Sequence, residues 1–302
     1  MRGHLLTAYL AVIIPCLAIG WTVLAEPAAQ KLPVNGAELA YVTEGEGAPV
    51  VFVHGAISDH RIWDGYRSEI ADDYRFVAYS QRYFGTGPWP DKGEGFSVET
   101  HARDLIGFIE KLGAGPVHLV TWSYGGEVGV MAARERLDLF RSMVHFEPGI
   151  GSLTNEIPGG WAAVQDMNQA FGPAIRALKA GDAKAAVMGF VEAVFRLPEG
   201  AARQEDERWQ QIWIDNARTV PPFMAMKRQK PVQCADLEKM AIPTLIVVGK
   251  NTYARYAMIA EKAAGCLPNS DIKIMENVNH DGPMRKPQEF GGLVEDFNAS
   301  VK

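Results

Sequence analysis

A serine at the end of an apolar, β-branched run is the residue of this chain best placed to act as a nucleophile. Ser123 follows the run 118–122, and Gly125 and Gly126 precede a helix-compatible segment. This order predicts a strand, a sharp turn that exposes the serine hydroxyl, and a helix whose N-terminal amides point at an oxyanion. The usual pattern for such a turn is G-x-S-x-G, and Thr121 replaces its first glycine. Taken alone, the motif also fits an ordinary loop with a solvated hydroxyl.

An upstream segment could supply the other half of an oxyanion hole. The short apolar run 48–53 ends in His54-Gly55-Ala56, and a strand-to-helix loop of this kind carries an oxyanion amide in acyl-transfer enzymes. We therefore predict that the backbone amides of Ala56 and Tyr124 form the hole. His54 is expected to shape this loop and to lie at the substrate site, and His60 could line the same pocket. Neither is our candidate for the general base.

The last loop of the chain carries the candidate general base. Segment 272–275 predicts the final strand, and Pro287 begins an amphipathic terminal helix. His280 lies in the loop between them, from which an imidazole can reach back over the sheet edge to Ser123. The other histidines fall in the leader, inside predicted strands or a helix, or near the loop that carries His54.

Together these motifs resemble the α/β-hydrolase fold family over about residues 32 to 297. Segment 79–87 resembles the family's loop after strand four, and segment 243–249 resembles its seventh strand. The alternation of buried strand and amphipathic helix patterns independently predicts an α/β fold with a mostly parallel, doubly wound sheet.

Between strands six and seven the composition changes to helical stretches separated by glycines and prolines. We predict a helical cap over residues 151–239, inserted into a core formed by residues 26–150 and 240–302; its first helix is expected over 161–178. Most aromatic and large apolar cap residues are expected to pack inside the cap rather than line the pocket. These residues are Trp161, Met167, Phe171, Phe195, Trp209, Trp213 and Phe223. Trp122 and Tyr124, beside the nucleophile, are better placed to contact substrate.

The acid that completes a serine–histidine–acid triad departs from the common family pattern. Most relatives have an aspartate three residues past the glycine that ends strand seven, where this chain has Thr252. A buried anion is needed to fix the histidine tautomer and to stabilise imidazolium. Glu147, just past strand six, is our candidate, and certain zearalenone-lactone hydrolases look similar in this respect. Two alternatives stay open: Glu147 only lines the pocket, or Asp281 contacts His280 locally.

The nucleophile type restricts the chemistry to acyl transfer. Haloalkane dehalogenases and epoxide hydrolases of this fold use an aspartate at the turn, which Ser123 cannot replace. We predict a cofactor-independent serine hydrolase that cleaves a small to medium apolar carboxylic ester or lactone through an acyl-enzyme. The alternatives are a C–C hydrolase, a cofactor-free perhydrolase or haloperoxidase of the same fold, and a non-catalytic binding protein that retains it.

Composition agrees with this interpretation. The chain has 302 residues, of which 47% are hydrophobic, and a formal net charge of −6. The length suits one α/β core with an insertion, and the charge gives no indication of a nucleic-acid partner. Metal-ligand spacings and nucleotide-binding loops are missing from the sequence, so no metal or cofactor is predicted. The expected partner is a small-molecule ester or lactone, and the oligomeric state stays open.

The N-terminal segment predicts export. Residues 1–25 combine a short basic start, an uncharged apolar run and small residues before Glu26, as in a signal peptide, so we expect a periplasmic or secreted enzyme. An uncleaved membrane anchor is the alternative, because the run is about long enough to span a bilayer. In an oxidising compartment Cys234 and Cys266 could form a disulfide. Two buried thiols remain possible, because the sequence does not fix the separation of the Cα atoms.

Overall fold

The computed structural model describes residues 29–113 and 115–301, so the predicted leader, 1–25, lies outside the described residues. Eight strands of this part form one sheet. They are β1 (Gln30–Val34), β2 (Ala37–Glu44), β3 (Pro49–Val53), β4 (Arg75–Tyr79), β5 (Val117–Trp122), β6 (Phe140–Phe146), β7 (Thr244–Gly249) and β8 (Ser270–Met275).

The order of the strands brings the chemically interesting loops to one edge of the sheet. The order is β1-β2-β4-β3-β5-β6-β7-β8; β1 and β2 pair antiparallel with their neighbours, and the other pairs are parallel. The prediction of a mostly parallel α/β sheet is confirmed. Because parallel strands end at the same edge, the residues that follow β3, β5, β6 and β7 are gathered there.

Helices connect the strands and cover both faces of the sheet. They are α1 (Arg67–Asp73), α2 (Val98–Leu112), α3 (Tyr124–Glu135), α4 (Gly160–Gln169), α5 (Gly172–Lys179), α6 (Ala183–Phe195), α7 (Glu207–Asp215), α8 (Val220–Ala225), α9 (Cys234–Leu237), α10 (Ala254–Cys266), α11 (Gly282–Arg285) and α12 (Pro287–Ser300). Within the described ranges, none of them combines the length and the apolar character that crossing a membrane requires.

Strand β3 shows how the sheet is packed on both sides. All five of its residues are buried. Val51 and Val53 belong to one cluster of buried apolar side chains, and Val50 and Phe52 belong to another. Alternate residues of a strand point to opposite faces, so these two clusters lie on the two sides of the sheet. A central parallel strand is expected to be apolar throughout for this reason.

Two details of the segment between β6 and β7 differ from, or add to, the sequence analysis. The single helix predicted over 161–178 is wrong: α4 ends at Gln169, and α5 begins at Gly172. Pro173 explains the break, since proline has no amide hydrogen and its ring clashes with the preceding turn of a helix. Further along, Cys234 and Cys266 are joined by a disulfide with Cα atoms 5.3 Å apart.

Candidate active site

Ser123 lies between β5 and α3 in a backbone conformation that side chains rarely adopt. Its φ and ψ are 54° and −119°, so the turn holds a strained geometry. A Cβ on Gly125 would lie 2.5 Å from the carbonyl oxygen of Val53; only glycine fits there. The carbonyl of Ser123 accepts hydrogen bonds from the amides of Gly126 at 2.8 Å and Gly149 at 2.7 Å. These contacts fix the turn on two sides.

Thr121 occupies the position of the missing glycine, and glycines of α3 make room for it. A Cβ on Gly129 would lie 3.2 Å from Cγ2 of Thr121, and a Cβ on Gly126 would lie 3.4 Å from its Oγ1. Oγ1 also lies 2.6 Å from Nδ1 of His145 in β6. The larger side chain is therefore accommodated by small neighbours and a polar partner, and the departure from the usual pattern leaves the turn intact.

Glu147 follows β6 and has no contact with solvent. Its Oε1 accepts a hydrogen bond from the amide of Gly249 at 2.8 Å. Its Oε2 accepts one from the hydroxyl of Thr252 at 2.9 Å and lies 2.5 Å from Nδ1 of His280. Both carboxylate oxygens are thus satisfied by donors, as a buried acid requires. Thr252 cannot carry the charge of a triad acid, but its hydroxyl donates a hydrogen bond to the carboxylate of Glu147.

His280 is held in one orientation by contacts on three sides. Its ring stacks on Tyr256 with centroids 3.9 Å apart and an interplanar angle of 5°. Its carbonyl accepts a hydrogen bond from Nε1 of Trp122 at 2.9 Å. Because Nδ1 faces the carboxylate of Glu147, we assign the proton to Nδ1, which leaves Nε2 as a base. Nε2 is buried and has no hydrogen-bond partner among the described residues.

The two residues predicted to supply the oxyanion amides border the same space. Ala56, Tyr124, Ser123 and His280 all line one cavity. Tyr124 is the first residue of α3, so its amide has no acceptor within the helix. A Cβ on Gly149 would lie 3.2 Å from the amide nitrogen of Tyr124, so glycine keeps this position open. Nε2 of His280 makes no hydrogen bond to the hydroxyl of Ser123 in this structure. Such a bond between a nucleophile and its base is often formed fully only with substrate in place.

The sequence comparison decides the family. The profile described as the alpha/beta hydrolase family matches residues 50–292, which is more than half of this chain. The chain belongs to the alpha/beta hydrolase family. Membership confirms the resemblance and the fold predicted from the motifs, and it confirms that the protein is a hydrolase.

Relatives within the family carry different activities in their names. The chain is 26% identical over 265 residues to non-heme chloroperoxidase CPO-A1 of Kitasatospora aureofaciens, which covers 82% of this chain and 90% of that protein. It is 25% identical over 243 residues to 2-(acetamidomethylene)succinate hydrolase of Mesorhizobium japonicum, with coverages of 78% and 83%. A thermophilic esterase from Thermogutta terrifontis has a similar fold, with a TM-score of 0.69 at 22% identity and coverages of 90% and 98%.

Asp281, the local alternative to Glu147 in this alpha/beta hydrolase, is engaged elsewhere. Its Oδ2 accepts a hydrogen bond from Nε of Arg285 at 2.8 Å, and its Oδ1 accepts one from the amide of Asn279 at 3.3 Å. The carboxylate within hydrogen-bonding distance of His280 is that of Glu147. The geometry therefore favours Glu147 as the triad acid.

The cavity has a volume of about 500 Å³ and walls from both the sheet edge and the segment between β6 and β7. Five of the seven apolar residues considered in that segment line it, namely Met167, Phe171, Phe195, Trp213 and Phe223. The expectation that most of them pack away from the pocket is therefore wrong, because the apolar faces of these helices surround the cavity. Trp161 is 65% exposed instead. Trp122, for which the sequence predicts contact with substrate, lines the cavity and stacks on Phe195 with centroids 5.7 Å apart.

His54 and His60 do not line the cavity, so their predicted contact with substrate is corrected. Nδ1 of His54 lies 2.7 Å from the Gly55 carbonyl oxygen, and its Nε2 accepts a hydrogen bond from the amide of Gln81 at 3.0 Å. Nδ1 of His60 lies 2.7 Å from Oγ of Ser80. Both rings are used to hold loops together, and burial lowers the pKa of both, that of His54 to about 4.

Sequence reasoning missed two arginines in the cavity wall, Arg228 and Arg255. Arg228 forms a bidentate ion pair with the buried Glu127 of α3. Its Nε donates to Oε1 at 2.6 Å, and its Nη2 donates to Oε2 at 2.7 Å. An acid in the first turn after the nucleophile was the one available signal for this pair. Within residues 29–113 and 115–301, His, Cys, Asp and Glu side chains do not form a group of three or more that could hold a metal ion.

Proposed function

We propose that this alpha/beta hydrolase cleaves a carboxylic ester or lactone through a covalent acyl-enzyme on Ser123. The observation that carries the proposal is the arrangement of His280. One ring nitrogen is 2.5 Å from the buried carboxylate of Glu147, and the other has no partner among the described residues, in a cavity that Ser123 shares. This is the arrangement that a general base for a serine hydroxyl requires.

The proposed reaction has an acylation half and a deacylation half. His280 takes the hydroxyl proton of Ser123 while Oγ of Ser123 attacks the substrate carbonyl. The oxyanion that forms is stabilised by the amides of Ala56 and Tyr124. Glu147 stabilises the imidazolium that forms and keeps its ring in place. His280 then protonates the leaving alcohol. In the second half it activates a water, which releases the acid and restores Ser123.

The cavity supports a substrate of small to medium size. Its volume of about 500 Å³ lies within the range of small-molecule sites. Aromatic and aliphatic side chains such as Phe171, Phe190 and Phe195 form much of its wall. Apolar groups on either side of the scissile bond would gain free energy by leaving water there.

A panel of p-nitrophenyl esters of increasing acyl length, beside a panel of lactones, tests the proposal. We expect turnover of at least one member by the native protein and its loss in Ser123→Ala. The natively folded state of the variant is checked by thermal unfolding. Turnover that survives in Ser123→Ala would contradict the assignment of the nucleophile. The lack of any turnover, with native folding demonstrated, would contradict the proposed reaction.

A cofactor-free perhydrolase is the second candidate, because a relative that covers 82% of this chain is named a non-heme chloroperoxidase. Such an enzyme would pass the acyl group from Ser123 to hydrogen peroxide instead of water. Halogenation of a dye by bromide in the presence of acetate and hydrogen peroxide measures this activity. A rate that exceeds ester hydrolysis and disappears in Ser123→Ala would favour the second candidate over the first.

We also propose that the enzyme is exported to the periplasm or secreted. The pattern of residues 1–25 supports this. The disulfide between Cys234 and Cys266 agrees with it, since disulfides persist mainly in oxidising compartments. Mass spectrometry of the protein purified from its natural source is expected to show a chain that begins after Ala25. A full-length chain in the membrane fraction would favour the uncleaved anchor.

A further inference from the structure

Arg255 is a cation in the cavity wall with few polar partners among the described residues. It is the second residue of α10, and the cavity is lined by its side chain. Its Nη1 donates to the thioether sulfur of Met167 at 3.5 Å. Its Nε is buried without a hydrogen-bond partner among the described residues. A guanidinium group has five N–H donors, and a thioether is a weak acceptor.

Arg228, the second arginine of the cavity wall, has the carboxylate partner that Arg255 lacks. Arg228 donates two hydrogen bonds to Glu127, at 2.6 and 2.7 Å, and its charge is offset by that carboxylate. For Arg255, no carboxylate oxygen lies within 4.0 Å in the described part of the chain. Arg255 therefore has no ion-pair partner in the described part of the chain, and Glu127, which already pairs with Arg228, interacts with it only at longer range.

The rest of the cavity wall does not compensate this charge. Neither aspartate nor glutamate is among the described residues that line the cavity. Much of the wall is apolar, and attraction between opposite charges is stronger in such surroundings than in water. A buried donor without a partner costs free energy. A ligand that supplies a negatively charged acceptor would therefore gain a favourable interaction with Arg255.

Local packing places the guanidinium of Arg255 against Gly151 and beside the ring of Tyr256, whose centroid lies 5.8 Å from Cζ. A Cβ on Gly151 would lie 3.0 Å from Nη2 of Arg255, so glycine leaves space beside the group. The next residue, Tyr256, stacks on the imidazole of His280. The cation and the candidate general base are therefore supported by the same turn of α10.

We infer that the substrate carries an ionised carboxylate in addition to its ester or lactone group, and that Arg255 binds that carboxylate. A planar guanidinium matches a carboxylate in shape and loses its hydration shell more readily than an ammonium group. The inference rests on the proposed function, because it names the class of ester that the same site accepts. It predicts that the acid group lies against Arg255 while the scissile carbonyl lies against Ser123.

Two esters that differ in one group test this inference. Mono-p-nitrophenyl glutarate has a terminal carboxylate where p-nitrophenyl valerate has a methyl group. We expect a higher kcat/KM for the glutarate ester with the native enzyme. In Arg255→Gln the ratio of the two kcat/KM values should fall about tenfold to hundredfold, mainly through KM, as for a lost charge-assisted hydrogen bond. An unchanged ratio would overturn the inference.

Matched variants separate this effect from charge and folding. Arg103→Gln removes the same charge from an exposed position of α2 and is expected to keep the native ratio. Arg255→Lys keeps the charge without the planar fork and should give an intermediate ratio. A fall of the ratio in Arg103→Gln as large as in Arg255→Gln would mean that overall charge, and not a site, sets the preference.

A binding experiment keeps the inference separate from the proposed reaction. Glutarate is titrated calorimetrically into Ser123→Ala and into the double variant Ser123→Ala/Arg255→Gln. We expect binding in the first protein and at least tenfold weaker binding in the second. Equal binding in both, or no binding in the first, would contradict the inference even if esters are cleaved. Failure to cleave any ester, with this difference in binding intact, would contradict only the proposed reaction.

Discussion

Two buried histidines near the same edge of the sheet, His54 and His280, have different partners. At His54, Nδ1 lies 2.7 Å from the Gly55 carbonyl oxygen, and Nε2 accepts the amide of Gln81 at 3.0 Å. At His280, Nδ1 lies 2.5 Å from the carboxylate of Glu147, and Nε2 has no partner in the described part of the chain. Burial therefore does not distinguish a base from a structural imidazole. The partners of the two ring nitrogens do.

The partner of Nδ1 also determines how well each site stabilises the protonated imidazole. A carboxylate stabilises imidazolium by its charge, whereas a backbone carbonyl offers only a dipole. At His54 burial dominates and lowers the pKa to about 4, so that ring stays neutral near pH 7. Its Nε2 is also already occupied. Of these two sites, the one at His280 combines an unpartnered ring nitrogen with a countercharge.

The largest expected effect is on turnover when His280 is replaced. His280→Asn should lower kcat by about 10⁴- to 10⁶-fold, because the proton of Ser123 then has no acceptor. His54→Asn, the matched change in the other region, should lower kcat less than about tenfold, since His54 does not contact the cavity. Initial rates on one p-nitrophenyl ester measure both. Losses of similar size would remove the distinction between the two histidines.

The second-largest effect is expected on kcat when Glu147, the proposed triad acid, is replaced. Glu147→Gln preserves shape but removes the charge beside His280, and kcat should fall about 10⁴-fold. Asp281→Asn serves as the control, because the Asp281 carboxylate pairs with Arg285 at 2.8 Å rather than with His280. Its kcat should stay within about threefold of the native value. A near-native rate for Glu147→Gln would place the triad acid elsewhere.

The third effect is on stability and concerns His54. The unfolded chain takes up a proton near the ordinary pKa of 6.5, whereas folded His54 takes one up only near 4. The contribution of neutral His54 to the free energy of unfolding is therefore present above pH 6.5 and is lost as the pH falls towards 4. Between pH 7 and pH 5 this histidine should lower the free energy of unfolding by about 2 kcal/mol.

Urea unfolding at pH 7, 6 and 5 measures this loss. Burial also lowers the pKa of His101 and His145, to about 3 and about 4, so the native protein should lose more than this one histidine contributes. His54→Asn should show a shallower dependence on pH than the native protein. An identical slope in both would mean that His54 titrates alike in the folded and unfolded chains.

The smallest of these effects is expected at Thr252. Thr252→Val removes the hydroxyl that donates to Oε2 of Glu147 at 2.9 Å and should lower kcat about tenfold, as for one hydrogen bond to a charged group. Thr252→Ser keeps the hydroxyl and should retain most of the native rate. A loss in Thr252→Ser as large as in Thr252→Val would show that the methyl group, not the hydrogen bond, matters.

Much of this molecule could be predicted because the relevant signals are local. The run before Ser123 and the glycines after it specify a strand, a turn and a helix within a few residues. The periodic patterns specify a parallel sheet, which brings the residues after β3, β5, β6 and β8 to one edge. Glu147 and His280 could be placed near Ser123 for that reason.

The remaining features depend on side chains from distant segments. Thr252 and Glu147 are 105 residues apart, and nothing beside either one indicates a hydrogen bond between them. The sequence predicts His54 at the substrate site because its loop is there, but its Nε2 accepts a hydrogen bond from the amide of Gln81. The role of Arg255 depends on which acceptors the fold leaves beside it. Such contacts follow from packing and not from periodicity.

The most direct test of Ser123 as the nucleophile and His280 as its base is covalent labelling with a fluorophosphonate, followed by intact-mass and peptide analysis. A single adduct on Ser123 is expected, with a labelling rate at least about a thousandfold lower in His280→Asn and near native in His54→Asn. An adduct on another residue, or equal labelling of the His280→Asn and native proteins, would contradict these assignments.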